Sequence, residues 1–150
     1  MNSENIKLLV GLLGTIRALK WNYWNSHWMA SGNPYYGDHL LFQRLYQEDN
    51  IDNQIDTLAE KITAYEPQVL SDGFMRMAFD RFLNRYEGEP NLFQRALLME
   101  KHCQESLKYV YNQIKESDEL SLGLDDFLMA TANQRETAIY LLQQRIRRQA

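Results

Sequence analysis

The stretch EPQVLSDGFMRMAFDRFLNRYEGEP, residues 66–90, decides how the rest of the chain is read. It opens on Glu66-Pro67, breaks again at Ser71-Asp72-Gly73, and closes on Gly88-Glu89-Pro90. Between the last two breaks, residues 74–86 contain no Gly or Pro, which suits a short helix. A connection of this length does not belong to an up-down-up-down bundle joined by tight turns. It fits a bundle with one long crossover that carries a short helix on the way.

Upstream, Gly32-Asn33-Pro34 separates two long stretches, residues 3–29 and 36–64. Downstream, Ser121-Leu122-Gly123 separates residues 90–117 from 124–148. These four segments are expected to be helices A to D, with Pro90 in the first turn of helix C, where its missing N–H has no helical partner. No alternating apolar/polar run of strand length occurs, so no sheet is expected. The expected fold is all-α: a ferritin-like four-helix bundle with a short extra helix in the B–C connection, one domain over residues 1–150.

Composition narrows the function classes. Only 7 Gly and 3 Pro occur in 150 residues, too few for the turns of an all-β fold. Lys plus Arg is 16 against 20 Asp plus Glu, a net charge of −4, so nucleic acid is not the default partner. The single cysteine, Cys103, excludes an internal disulfide and a cysteine-based zinc finger. The apolar run from Ile6 to Leu13 is too short to span a bilayer, and it lacks the basic flank and cleavage site of a signal peptide. No membrane partner is expected, and a cytoplasmic location is.

Helix faces refine the packing. Ile6, Leu8, Leu9, Val10, Leu12, Leu13, Ile16, Leu19, Trp21 and Trp24 cover more than half of helix A, wider than a bundle stripe. Helix A is therefore expected to pack on something else as well, most simply another subunit. Trp21, Trp24 and Trp28 are expected in core and interface. Helix C has a tidier stripe of Phe93, Ala96, Leu97, Cys103, Leu107, Val110 and Ile114, which makes Cys103 a buried hydrophobe. His102 lies opposite that stripe and is expected to face solvent without a role.

The other two histidines flank the first turn. His27 ends helix A and His39 opens helix B, so the turn can fold one onto the other. Helix B carries Asp49, Asp52, Asp56 and Glu60, whose 3-4-4 spacing places all four within roughly 80° of one face. Such a face can be merely solvated, or it can serve a metal, since carboxylates with imidazoles suit iron, manganese or zinc. His39 and Asp56 are roughly 25 Å apart along a regular helix and cannot share a metal within one chain. They could meet across a two-fold axis between antiparallel helices B. A single-chain di-iron bundle needs Glu-x-x-His motifs, and none occurs.

The run Trp24-Asn25-Ser26-His27-Trp28, the Gly32-Asn33-Pro34-Tyr35-Tyr36 turn, His39, and Asp56-Thr57-Leu58-Ala59-Glu60-Lys61-Ile62 resemble the Dps mini-ferritins over about residues 20–63. The twelve-residue spacing from His27 to His39 matches that family's pattern. The resemblance implies a homo-oligomer, a hollow dodecamer with 23 symmetry, that oxidises Fe(II), preferably with hydrogen peroxide, and stores the ferric product. It implies an iron site across each two-fold interface, with His27 and His39 from one subunit and Asp56 and Glu60 from the other. Zinc or manganese could substitute for iron. A ferritin-like scaffold without a working site, or a DNA-associated shell, is the alternative.

Two departures from the family pattern carry expectations. Gln43 stands where the family has an Asp, which lowers the charge around a hard cation. The step from the second His to the Asp is seventeen residues instead of fifteen, which rotates the downstream residues by about 200° in an unbroken helix. The apolar stripe agrees: Leu41, Phe42 and Leu45 give way to Ile51, Ile55, Leu58 and Ile62 in a different phase. A π-type bulge or short irregularity is therefore expected within residues 46–53, bringing Glu48, Asp49 or Asp52 towards the metal. DNA binding is expected to be weak. The N-terminus is not Lys-rich, and Arg145, Arg147 and Arg148 suit the C-terminal end of the last helix.

Overall fold

The computed structural model describes residues 1–71 and 73–147. Asp72, Arg148 and the expected end of the last helix at 148 lie outside the described residues. Among those described, the chain is all-α, with no strand. The helices are α1 (Ser3–Met29), α2 (Tyr35–Gln43), α3 (Ile51–Tyr65), α4 (Phe74–Tyr86), α5 (Leu92–Glu116) and α6 (Leu122–Arg147). A π-helical turn, Arg44–Glu48, joins α2 to α3.

Local chemistry sets these limits. The Asn2 side chain accepts the Asn5 N–H at 2.8 Å and caps α1. Asn91 caps α5 by accepting from the N–H groups of Phe93 and Gln94, both at 3.0 Å. Pro90 therefore stands before the cap, not inside the first turn as its sequence position suggested, because Asn91 is the better cap and sets the helix start two residues on, at Leu92.

Cross-helix contacts fix the directions. His27 meets His39 and Lys20 meets Asp52, so α1 runs antiparallel to the α2–α3 column. Asn5 bonds Ser117 and Tyr23 bonds Glu100, so α1 is antiparallel to α5. Gln104 donates to the Ala132 carbonyl and Arg135 to Glu100, so α5 is antiparallel to α6. The chain thus runs up, down, down, up, and the segment holding α4 makes the single long return.

Part of the wide apolar surface of α1 is covered within the chain, while Trp21 and Trp24 of that surface stay exposed. Helix α4 lies against it, and Gly14 is what permits the approach. A Cβ at Gly14 would stand 2.7 Å from the Met75 carbonyl oxygen and 2.9 Å from the Ala78 Cβ. The rest of the α1 face, Leu9, Leu13, Ile16, Leu19 and Tyr23, is buried among the other columns. The core part of the expectation for the tryptophans is corrected. Trp21, Trp24 and Trp28 are 52%, 41% and 63% exposed, so none belongs to the core. The α5 stripe is buried as its spacing predicted, Cys103 included, and burial raises that thiol's pKa well out of reach of neutral pH.

His102 also departs from its reading. It is half-buried against α4, where its Nδ1 and the Tyr86 hydroxyl share a hydrogen bond of 2.8 Å and its ring packs on Phe82 at 5.0 Å. Helical-wheel reasoning placed it opposite the bundle core correctly, but α4 covers that side of α5. Burial, and then Arg85, lower its pKa.

The break in helix B falls where the phase slip required one. The π turn begins at Arg44, two residues before the expected window. Asp49 then leaves the helix and Asn50 adopts the left-handed conformation at φ 63°. Asn tolerates that region better than any residue except Gly. Helix α3 restarts at Ile51, in a new phase that buries Ile51, Leu58 and Ile62.

Candidate functional site

The first turn brings the two histidines together. Their rings stack with centroids 3.6 Å apart. Nδ1 of His27 lies 3.0 Å from the His39 carbonyl oxygen, and Nδ1 of His39 lies 3.0 Å from the His27 carbonyl oxygen. A carbonyl can only accept, so each Nδ1 carries the proton and donates. In the neutral rings both Nε2 atoms then keep their lone pairs. This is the tautomer that a metal-binding imidazole needs, fixed by a second bond on the far nitrogen. His27 is buried and His39 half-buried, so the pair is rigidly held at the surface.

An aromatic belt surrounds the pair. Tyr46 from the π turn packs edge-on against His27 at 5.4 Å and stacks on Trp24 at 5.6 Å. Trp24 in turn meets Trp28 at 5.6 Å, and Tyr35 meets His39 at 5.1 Å. Trp28 and Tyr36 remain 63% and 73% exposed, and Leu40, one turn after Tyr36, is 42% exposed. Trp24, Trp28 and Tyr46 thus form a connected run of rings next to His27.

The acids lie elsewhere on the same side of the molecule. Asp56 and Glu60 are exposed on α3, four residues apart and hence on one face. Asp52 is engaged by Lys20 of α1. That contact sets Asp52 level with residue 20, seven residues below His27. Asp56, one turn further, is then roughly 15–20 Å from the histidines along the α1 axis. The π turn makes this shorter than a regular helix would, but still too far for a shared ion. Among the described residues no group of three or more His, Cys, Asp or Glu side chains in one chain is placed to hold a metal.

The outlying candidates sort themselves by partner. Asp49 leaves the expected acidic face: it sits at the end of the π turn, 3.7 Å from the Arg44 guanidinium, with its side chain 12% exposed. Burial raises its pKa, against the pull of Arg135 and Arg44. The π turn thus turns Asp49 inward towards Arg135, not towards the histidines. Glu48 is exposed. Gln43 donates through Nε2 to the Gln47 Oε1 at 3.0 Å.

Two features escaped the sequence reading. Glu100 and Arg135 form an ion pair at 3.0 Å with both side chains fully buried, and the Tyr23 hydroxyl donates to the same Glu100 oxygen at 2.5 Å. Burial raises the Glu100 pKa, opposed by Arg135 and the Tyr23 bond. Burial also raises that of Tyr23, with Glu100 adding to it. For Arg135, burial is the largest influence and works against the charge, but Glu100, Tyr23, Cys103 and Asp49 together outweigh it and the net shift is upward. Second, Arg145 grips Asp38 through two bonds of 2.6 and 2.8 Å and lies over the Phe93 ring at 4.3 Å. Its charge therefore ties the end of α6 to the start of α2.

No family model, no curated protein and no solved structure matches the chain.

Proposed function

We propose that this chain is the subunit of an iron-oxidising, iron-storing shell of the mini-ferritin kind. The observation that carries the reading is the reciprocal histidine pair, with both Nε2 atoms left free beside an exposed aromatic belt. The up-down-down-up course with one long crossover supports a ferritin-like bundle. The exposed aromatics supply the contact surface that an isologous dimer would use.

In this reading each iron site is completed between two subunits. His27 and His39 bind Fe(II) through Nε2, and Asp56 and Glu60 of the partner subunit supply negative charge and hard oxygen donors. Two Fe(II) ions each give one electron to hydrogen peroxide, the O–O bond breaks, and two protons complete two waters. Both electrons are delivered together, so no hydroxyl radical is released. Closed dimers then assemble into the dodecamer that holds the ferric product in the cytoplasm. DNA is not a strong partner in this reading, since the net charge is −4 and Arg145 is paired with Asp38.

A scaffold without iron chemistry is the competing reading, and the Gln43–Gln47 bond favours it, because that bond directs the Gln43 side chain along its own helix. The test is Fe(II) with peroxide, followed by ferric absorbance, on the wild type and on His39→Ala with Asp56→Ala. Wild-type oxidation that falls at least tenfold in the variant supports the iron site. Equal rates and no ferric core leave the scaffold.

A further inference from the structure

A groove of about 530 Å³ runs between the first half of α1, α4 and the middle of α5. Its wall on α1 extends from Lys7 to Thr15. Those residues stand at least twelve positions, roughly 18 Å, from His27 along the helix. No ligand of the proposed iron site and no ring of the aromatic belt lines this groove.

Its floor is apolar and its rim is basic. Leu12, Phe82 and Val110, 2%, 5% and 4% exposed, form the floor. Lys7 of α1 and Arg81 and Arg85 of α4 are exposed along the rim, against one carboxylate, Glu105. Three cations to one acid leave an excess of positive charge, on a chain whose net charge is −4. Arg81 and Arg85 stand one turn apart on α4, where like charges repel. Among the described residues neither forms an ion pair, and Arg85 lies over the Tyr86 ring at 5.7 Å. Lys7 reaches Glu4 at 3.8 Å, an exposed pair that contributes little. The fold therefore gathers these cations without neutralising them. Gly11 adds a second observation. It lines the groove, and a Cβ there would meet nothing within 4 Å. Helix packing requires the glycine at Gly14 but not the one at Gly11, where a residue that weakens a helix interior leaves a gap beside the floor.

We propose that this groove binds a free, unbranched aliphatic carboxylate, with its head at the basic rim and its chain along the apolar floor. The carboxylate pairs with the Arg81 guanidinium, whose fork matches its two oxygens, and Arg85 and Lys7 add positive charge around it. The chain lies over Leu12, Phe82 and Val110 and fills the gap at Gly11. The volume is in the ordinary range of small-molecule sites. A cationic amphiphile is repelled by the rim, and a short carboxylate gains nothing from the floor. The site shares no side chain with the proposed iron ligands or with the aromatic surface assigned to the dimer, so its test stands apart from that reading.

Decanoate, kept below its micelle concentration, is the probe, and calorimetry reads its binding. Butyrate carries the same head without the long chain, and decyltrimethylammonium carries the same chain with the opposite charge. The expected result is saturable decanoate binding, at least about tenfold tighter than either control. Gly11→Leu fills the gap without a clash and favours the helix, so it should fold and weaken decanoate at least about tenfold. Arg81→Glu should do the same through charge. Arg147→Glu, the same charge change outside the groove, should leave the affinity within about twofold. Circular dichroism checks the fold of all three variants. No saturable binding of decanoate up to millimolar concentration overturns the proposal. So does equal affinity for decyltrimethylammonium, which makes the groove an apolar slot, and so does undiminished binding by folded Gly11→Leu and Arg81→Glu. Retention on phosphatidylglycerol vesicles without decanoate binding assigns the rim to a lipid surface and overturns it as well.

Discussion

At the scale of single residues, the most consequential group is the one that no motif announced. Arg135, Glu100 and Tyr23 come from three helices and meet with no exposure at all. A buried ion pair is rarely a large net stabiliser, but breaking it leaves an uncompensated charge. Arg135→Met alone should therefore cost about 3–5 kcal/mol in urea unfolding. The triple change Tyr23→Phe, Glu100→Leu, Arg135→Met should recover most of that loss, because no donor or acceptor of the group is left orphaned. A triple variant no more stable than the single one would show that the network does more than neutralise itself. His102 gives the matching pH statement. Its folded pKa lies below 6.5, so the folded state takes up the proton less readily than the unfolded one. Stability is intact above pH 6.5 and is lost as pH falls through that value towards the folded pKa. The groups facing it are Tyr86 and Arg85 of α4 and Glu105 of its own helix. His102→Phe keeps the packing on Phe82 and should flatten the stability profile below pH 6.5, measured by thermal melts across pH.

At the scale of elements, the break in helix B and the seat of α4 are the two places where the backbone depends on one residue. Asn50 holds a positive φ between the π turn and α3. Asn50→Gly should be neutral or slightly stabilising, whereas Asn50→Val should cost about 1–2 kcal/mol, because a β-branched side chain resists that region. Gly14 is the second. Gly14→Val would drive side-chain carbons into the Met75 carbonyl and the Ala78 methyl, so α4 must move off α1. A loss of about 1–3 kcal/mol is expected, with α4 amides exchanging faster than those of α5. These two sites also show what the sequence could convey. Breaker spacing located the outer bounds of the helices to within two residues among the described residues, and the change of apolar phase between Leu45 and Ile51 located the irregularity that divides helix B. The sequence pattern could not say what covers the far side of α1. Gly14 reads as an ordinary small residue until α4 is seen resting on it, so the part of the apolar excess that α4 covers looked like an oligomer contact. The buried triad was hidden for a related reason. Glu100 and Arg135 are 35 residues apart, and nothing local marks a charge as inward-facing. Of the candidate centre, the turn and the twelve-residue spacing foretold the histidine pairing, but the reciprocal carbonyl bonds that free both Nε2 atoms are a property of the folded turn.

At the scale of the whole molecule, the proposed iron site makes a claim about assembly that can be separated from every claim about a single subunit. Twelve subunits of 17.8 kDa should elute at about 214 kDa, and Trp28→Asp should shift that peak towards smaller species while leaving helix content unchanged. Complementation is the sharper experiment. His39→Ala removes the histidine half of each site, and Asp56→Ala removes the acid half. If one chain held the whole site, mixing these two variants could restore nothing. If each site takes its histidines from one subunit and its acids from the partner, some mixed interfaces regain an intact set. A given site receives sound histidines in about half of random pairings and sound acids in about half of those. Co-refolding the two inactive variants in equal amounts should thus return about a quarter of the wild-type rate of Fe(II) oxidation. A return to zero, with the mixed shell assembled, would reject the shared site while leaving the bundle and its histidine pair intact.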